Sequence, residues 1–381
     1  MYVQRLKIEN WKNFKKSEVR LSRRLFLIGP NASGKSNFLD IFRFLRDISL
    51  TSGGGLKKAV EDRRGVSAIR CLAAREKSEI SIEVELKEEN PERVWIYRLN
   101  FNQHRKNLEV KEEFVSLNGK VLLNRPDDDD LKDSLRLTQT ALEQINLNKD
   151  FREVVGFFQN ISYQHLLPQV IRDPQGFSPS PISNDPFGRD FLQRVENTSP
   201  KFRESRLNKI QSALQVAVPQ LKELKVERDS FGVPHLIGLF EHWRPRAGKQ
   251  NEVQFSDGTL RLFGLLWSLF EGEGMLLLEE PELSLHSEVV RQLPTIIEKV
   301  SRQRKLRTRQ IVISTYSEEM LDRKEIGGEE IIRLQPSENG TLLLQVSDEE
   351  RELLKSGLSV ADVMLPKTRP PQAQQLEFIF E

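Results

Sequence analysis

The chain has 381 residues, 38% hydrophobic and 30% charged, with a formal net charge of only +2. That length suits one large domain or two lobes, and the near-neutral balance excludes a bulk electrostatic argument for nucleic acid, so any basic patch must be local. The single cysteine, Cys71, excludes an intramolecular disulfide and a Cys-rich metal site and fits a reducing cytoplasm.

Residues Tyr2–Ile8 alternate apolar and polar and predict a half-buried strand. The start MYVQRLKIEN has no signal-peptide core, and the longest apolar run, Leu262–Phe270, is too short to span a bilayer. The expectation is a soluble cytoplasmic protein with no membrane partner. After the Asn10–Lys16 turn, a second strand over Ser17–Leu21 leads to LFLIGPNASGKS, residues 25–36. There an apolar run (Leu25, Phe26, Leu27, Ile28) stops at a glycine, and the next eight residues fit G-x-x-x-x-G-K-[ST] without mismatch. Such a strand–loop–helix unit turns backbone N–H groups inward to cradle phosphate oxygens at a helix N-terminus. The candidate nucleotide-binding residues are Gly29, Pro30, Asn31, Ala32, Ser33, Gly34, Lys35, Ser36 and Asn37. Lys35 brings positive charge to the β- and γ-phosphates, and the Ser36 hydroxyl is a ligand for Mg²⁺. Phe38, Ile41, Phe42, Leu45 and Ile48 then repeat at helical spacing, as the motif requires, up to a breaker at Ser52–Gly55. The chain is expected to bind a nucleoside triphosphate.

From Ser78 to Leu123 the pattern becomes alternating, with hairpin signals at Glu89-Asn90-Pro91 and Asn118-Gly119. This predicts an antiparallel sheet inserted after the nucleotide-binding helix. Asp127–Asp130 is a run of four acids, read as a solvated turn in preference to a cation site. Leu131–Leu224 reads as mostly helical, broken by a Pro-, Ser- and Asp-rich loop at Pro168–Pro186, with a further strand pair over Val233–Trp243.

A second block, residues 251–285, reads NEVQFSDGTLRLFGLLWSLFEGEGMLLLEEPELSL. Phe255–Thr259 would cap a helix whose apolar face is Leu260, Phe263, Leu266, Trp267 and Phe270. Met275–Leu278 predicts a buried strand ending in Glu279-Glu280, where one carboxylate can complete a Mg²⁺ shell and its neighbour can orient or deprotonate a water.

The order phosphate loop, long insertion, S-x-G-[TQ] helix start and hhhh-E-E-P-E resembles the ABC-type ATPases of the SMC, RecF and OLD group, specifically short AAA-type relatives without a coiled coil. The resemblance covers about residues 1–50 and 250–335. It implies an α/β fold of the P-loop NTPase, ABC-ATPase type: a mixed sheet core with an antiparallel β lobe and an inserted helical lobe. The expected division is 1–130, 131–250 (mainly helical), 251–365 and a flexible tail, 366–381. On this resemblance FSDGT is the signature motif, with Asp257 where glycine is commoner. Ser256 and Gly258 would meet the γ-phosphate held by a second protomer, so two chains would close as a homodimer. Glu279 becomes the magnesium ligand and Glu280 the catalytic base, while Lys12 and Asn13 match positions that line the nucleotide.

Ile311–Ser317 is a third buried strand and its exit, where most relatives read S-T-H-S and this chain has Tyr316. A phenol can donate one hydrogen bond but carries no positive charge at neutral pH. Two readings stand: a neutral γ-phosphate sensor giving slow hydrolysis, or a structural tyrosine. Ser301–Arg309 carries five positive charges and reads as a solvated turn or, second, as a track for DNA phosphates. The end, Gln375–Phe380, reads as a tail that adds to a neighbouring strand or anchors back on its own lobe and, second, loosely resembles peptides that dock into the bacterial sliding clamp. Two uses fit the whole: regulation of a separate protein effector, as in antiphage defence, or direct action on DNA in repair or chromosome maintenance. No nuclease motif is visible, so any cleavage would come from a partner.

Overall fold

The computed structural model describes all residues except 75–76, 90–91, 105–106, 175–184, 186, 245–247, 303–308 and 370–381. The clamp-like tail and most of the basic run therefore lie outside the described residues. The chain forms two compact units: Met1–Ser162 with Glu273–Leu277 and Thr308–Glu381, and Tyr163–Gly272 with Leu278–Arg307. The first boundary falls at 162/163, not at 130/131 as expected from the sequence.

The first unit carries an antiparallel sheet ordered Phe14–Arg20, Tyr2–Trp11, Ile80–Glu89, Glu92–His104, Asn107–Leu117, Lys120–Arg125. Its Asn118-Gly119 turn has φ of 48° and 81°, the left-handed pair that a two-residue hairpin needs. The mixed sheet runs Gly340–Gln345, Ile331–Ser337, Arg24–Ile28, Ile311–Ser314, Leu276–Glu279, Ser162–Gln164. Arg24–Ile28 lies inside it, parallel to both neighbours, which explains its unbroken apolar run: both faces are covered. Helix Lys35–Ser49 buries Phe38, Ile41, Phe42, Leu45 and Ile48 as the spacing predicts. Trp11 meets Phe44 edge-on at 5.1 Å, tying the helix to the antiparallel sheet.

The acid run is not a solvated turn throughout. Asp127 caps a short helix, Asp128–Lys132, but Asp130 is fully buried and takes a two-pronged ion pair from Arg125 at 2.9 Å. Arg125 also reaches Glu113 at 3.2 Å and the Arg136 and Gln139 carbonyls. Among the described residues no group of three or more His, Cys, Asp or Glu could hold a metal.

The second unit contains helices Phe191–Asn197, Pro200–Ala217, Asp257–Phe270 and Ser287–Ser301. It also holds a three-stranded sheet ordered Lys249–Asn251, Pro234–Phe240, Leu221–Arg228, so the region expected to be mainly helical is mixed. The misreading has a physical cause. Leu221 and Leu224 are three apart, a helical spacing, yet both are buried. A register shift opposite Leu239/Phe240 inserts an extra residue between them and turns both to one face. Phe263 anchors helix Asp257–Phe270, 5.6 Å edge-on from Phe191.

Candidate nucleotide-binding site

In the first unit, the strand buried at Leu25–Ile28 releases the chain at Gly29, whose Cβ would lie 2.7 Å from the Leu334 carbonyl oxygen. Only glycine lets the loop leave the sheet there. Ala32 (φ 61°) and Gly34 (φ 100°) complete the tight path, and Gly34 caps helix Lys35–Ser49. A helix N-terminus that opens on such a loop favours anionic groups. Lys35 is 7% exposed, and its ammonium donates to the Gly29 and Pro30 carbonyls at 2.9 and 3.3 Å. That parks the cation inside the loop it would serve. Ser36 is exposed at the helix start. The Ser33 hydroxyl is buried and bonded by nothing among the described residues. An orphan donor of this kind suits a phosphate oxygen, because leaving it unpaired is costly.

Lys12 and Asn13 form the turn of the first hairpin, between the paired Trp11 and Phe14, and they do different work. The Asn13 amide donates to the Ser33 carbonyl at 2.9 Å and to the Thr341 hydroxyl at 2.7 Å, and its oxygen accepts from Asn37 at 2.8 Å. Thr341 in turn donates to Ser33 O at 2.9 Å. This brace holds the loop from behind. Lys12 pairs with Asp40 at 2.6 Å, and Asp40 takes a fork from Arg63 at 2.9 and 3.0 Å. Burial alone would raise the Asp40 carboxyl, but the charges of Arg63 and Lys12 outweigh it and hold it below the usual range. Tyr316 follows strand Ile311–Ser314, is 48% exposed, and sets its ring 6.0 Å from the Lys35 ammonium.

The second unit holds the remaining candidates. Ser256 caps helix Asp257–Phe270, accepting from the Thr259 N–H at 3.2 Å. A Cβ on Gly258 would lie 2.6 Å from the Ser284 carbonyl oxygen, so nothing larger fits that turn. Asp257 is paired with Arg172 at 2.6 Å and accepts from Gln169 at 3.3 Å. Glu279 accepts a hydrogen bond from the Tyr163 hydroxyl, and its carbonyl lies 3.2 Å from His165 Nδ1. Glu280 follows in a left-handed conformation, φ 46°. Burial lowers the Arg261 guanidinium pKa, and the charges of Asp257 and Glu280 partly restore it. Ser36 and Glu279 offer hard oxygen donors, the kind Mg²⁺ takes.

The structure thus joins Asn13, the 29–37 loop and Tyr316 in one unit, and places Ser256–Gly258 with Glu279-Glu280 in the other. Thr341, Tyr163 and Arg172 escaped the sequence reading, since each acts through a partner far along the chain.

A phosphate loop on an internal parallel strand, with its lysine folded inward, is what an ATPase of this kind requires. Residues 25–322 match the family described as "AAA domain, putative AbiEii toxin, Type IV TA system". The chain belongs to this family. It is an AAA-type ATPase with the P-loop fold of the SMC group. A solved SMC head bound to the C-winged helix domain of ScpA superposes with TM-score 0.53 at 17% identity, covering 93% of this chain and 100% of that one. An SMC head with an extended coiled coil, bound to the C-terminal domain of ScpA from Pyrococcus furiosus, gives TM-score 0.50 at 14% identity, covering 93% and 98%. A comparison with curated proteins returned no match. At such identities the structural likeness speaks for the fold of this ATPase. Among the described residues no helix is long and apolar enough to cross a membrane.

Proposed function

We propose that this cytoplasmic ATPase is an ATP-gated homodimeric switch that hydrolyses slowly and controls a separate protein effector in antiphage defence. The observation that carries the nucleotide reading is the phosphate loop, where Lys35 and the buried Ser33 hydroxyl lie at the head of a fifteen-residue helix. When bound, Mg²⁺ would neutralise charge between the β- and γ-phosphates, held through Ser36 and Glu279. Lys35 swings from its loop carbonyls to the phosphates, Glu280 accepts the proton of the attacking water, and Tyr316 donates a neutral hydrogen bond. Lacking the positive charge of a histidinium, Tyr316 leaves more transition-state charge unbalanced, hence slow turnover.

One protomer cannot surround the transferring group. Two-fold closure would bring the Ser256–Gly258 turn of each copy to the nucleotide of the other, completing both sites together. The effector reading draws on the family description, which names a toxin of a type IV system, and on SMC heads solved with bound ScpA domains.

The test is Glu280→Gln with ATP and magnesium, read by light scattering and phosphate release. A stable dimer without turnover is expected, with Lys35→Ala monomeric and unable to bind ATP. Wild-type hydrolysis by Glu280→Gln would remove the base assignment. A pull-down on the trapped dimer distinguishes a protein effector from DNA.

A further inference from the structure

Asp257 puts a carboxylate beside Ser256 and Gly258, at the turn the closure reading sends toward a triphosphate. A bare carboxylate there would repel the ligand, since like charges brought together at an interface cost several-fold to many-fold in affinity. The structure shows how that charge is met. Arg172, at the end of the short helix Pro168–Arg172, sets Nη2 2.6 Å from Asp257 Oδ1 and donates through the same nitrogen to the Phe255 carbonyl at 2.6 Å. Gln169, three residues earlier, donates to the other carboxylate oxygen at 3.3 Å. One helix thus covers both oxygens of Asp257 and grips the backbone on the near side of Ser256. Arg261, one turn further along the signature helix, senses Asp257 but makes no ion pair with it among the described residues.

We propose that Arg172 is a positioning residue for the ATP-dependent interface: it cancels the Asp257 charge and fixes the turn, making a carboxylate tolerable at a place that meets phosphate. This rests on the closure reading. The consequence is a reciprocal dependence, because a chain without the carboxylate would not need the arginine.

The experiment uses the full chain in the Glu280→Gln background, measuring ATP-dependent dimerisation by sedimentation and protomer affinity with a fluorescent ATP analogue. Arg172→Gln should weaken dimerisation by at least about tenfold, less at high salt, with protomer affinity and melting temperature unchanged. Arg172→Lys, which keeps the charge, should lose less. Adding Asp257→Gly or Asp257→Asn to Arg172→Gln should restore dimerisation. Full-strength dimerisation by Arg172→Gln, or no restoration in either double variant, overturns the proposal. If Glu280→Gln alone stays monomeric with ATP, it is the closure reading that falls.

Discussion

Replacing Gly34 by alanine tests whether the Asn13 brace shapes the phosphate loop. Gly34 sits at φ 100°, where an L side chain costs roughly 1–2 kcal/mol. The new methyl would also lie 2.0 Å from Asn13 Nδ2, so that amide must leave. It would give up its bonds to Ser33 O at 2.9 Å and Thr341 Oγ1 at 2.7 Å, each worth about 0.5–1.5 kcal/mol. The expected loss is therefore roughly 2–5 kcal/mol, measured by urea unfolding, together with weakened ATP binding because Ser33 and Asn37 lose their support. Asn13→Ala already removes the brace, so adding Gly34→Ala to it should cost only the backbone strain. The two changes should be coupled by about 1–3 kcal/mol. Additivity within about 0.5 kcal/mol would refute the idea that the glycine makes room for this asparagine.

Tyr163→Phe removes the hydrogen bond that the Tyr163 hydroxyl donates to Glu279. It should raise the magnesium concentration needed for tight binding of a fluorescent ATP analogue, leaving magnesium-free binding unchanged. Arg125→Met removes the cation shared by the buried carboxylates of Glu113 and Asp130, leaving Asp130 to the more distant Arg136 at 3.4 Å, and should destabilise the first unit by about 3–5 kcal/mol, seen in denaturant midpoint. His235 is raised above its ordinary 6.5, first by its hydrogen bond to Glu252 and further by Asp229, against a smaller opposing effect of burial. Its stabilisation is full below pH 6.5 and fades as pH rises through the raised value, so His235→Gln should flatten that part of the stability–pH curve. Tyr316→His should hydrolyse ATP faster than wild type in a phosphate-release assay, and an equal or lower rate would argue for a structural tyrosine.

What could be read from the sequence was local. The eight residues of the phosphate loop, the Asn118-Gly119 turn and the Ser256 cap each encode their geometry within a few positions, because φ constraints and caps act over one turn of chain. What could not be read depended on partners brought together by the fold. Arg125 lies only five residues before Asp130, but that the pair is buried depends on Glu113, on the neighbouring strand, which shares the same guanidinium. Lys12 matches a nucleotide-lining position, yet its ammonium is engaged by Asp40, a carboxylate that also serves Arg63. That shared carboxylate has a consequence for the site. Lys12 can reach a phosphate only by leaving Asp40, and the Arg63 fork keeps Asp40 ionised while it does so. The cost of releasing Lys12 is thereby lowered, because the carboxylate left behind is still paired. Arg63→Met should therefore weaken ATP binding without touching the ligand, by tightening Asp40's hold on Lys12. Asp40→Asn in the same background should reverse the loss, and failure to do so would show that Lys12 stays with the hairpin and takes no part in binding.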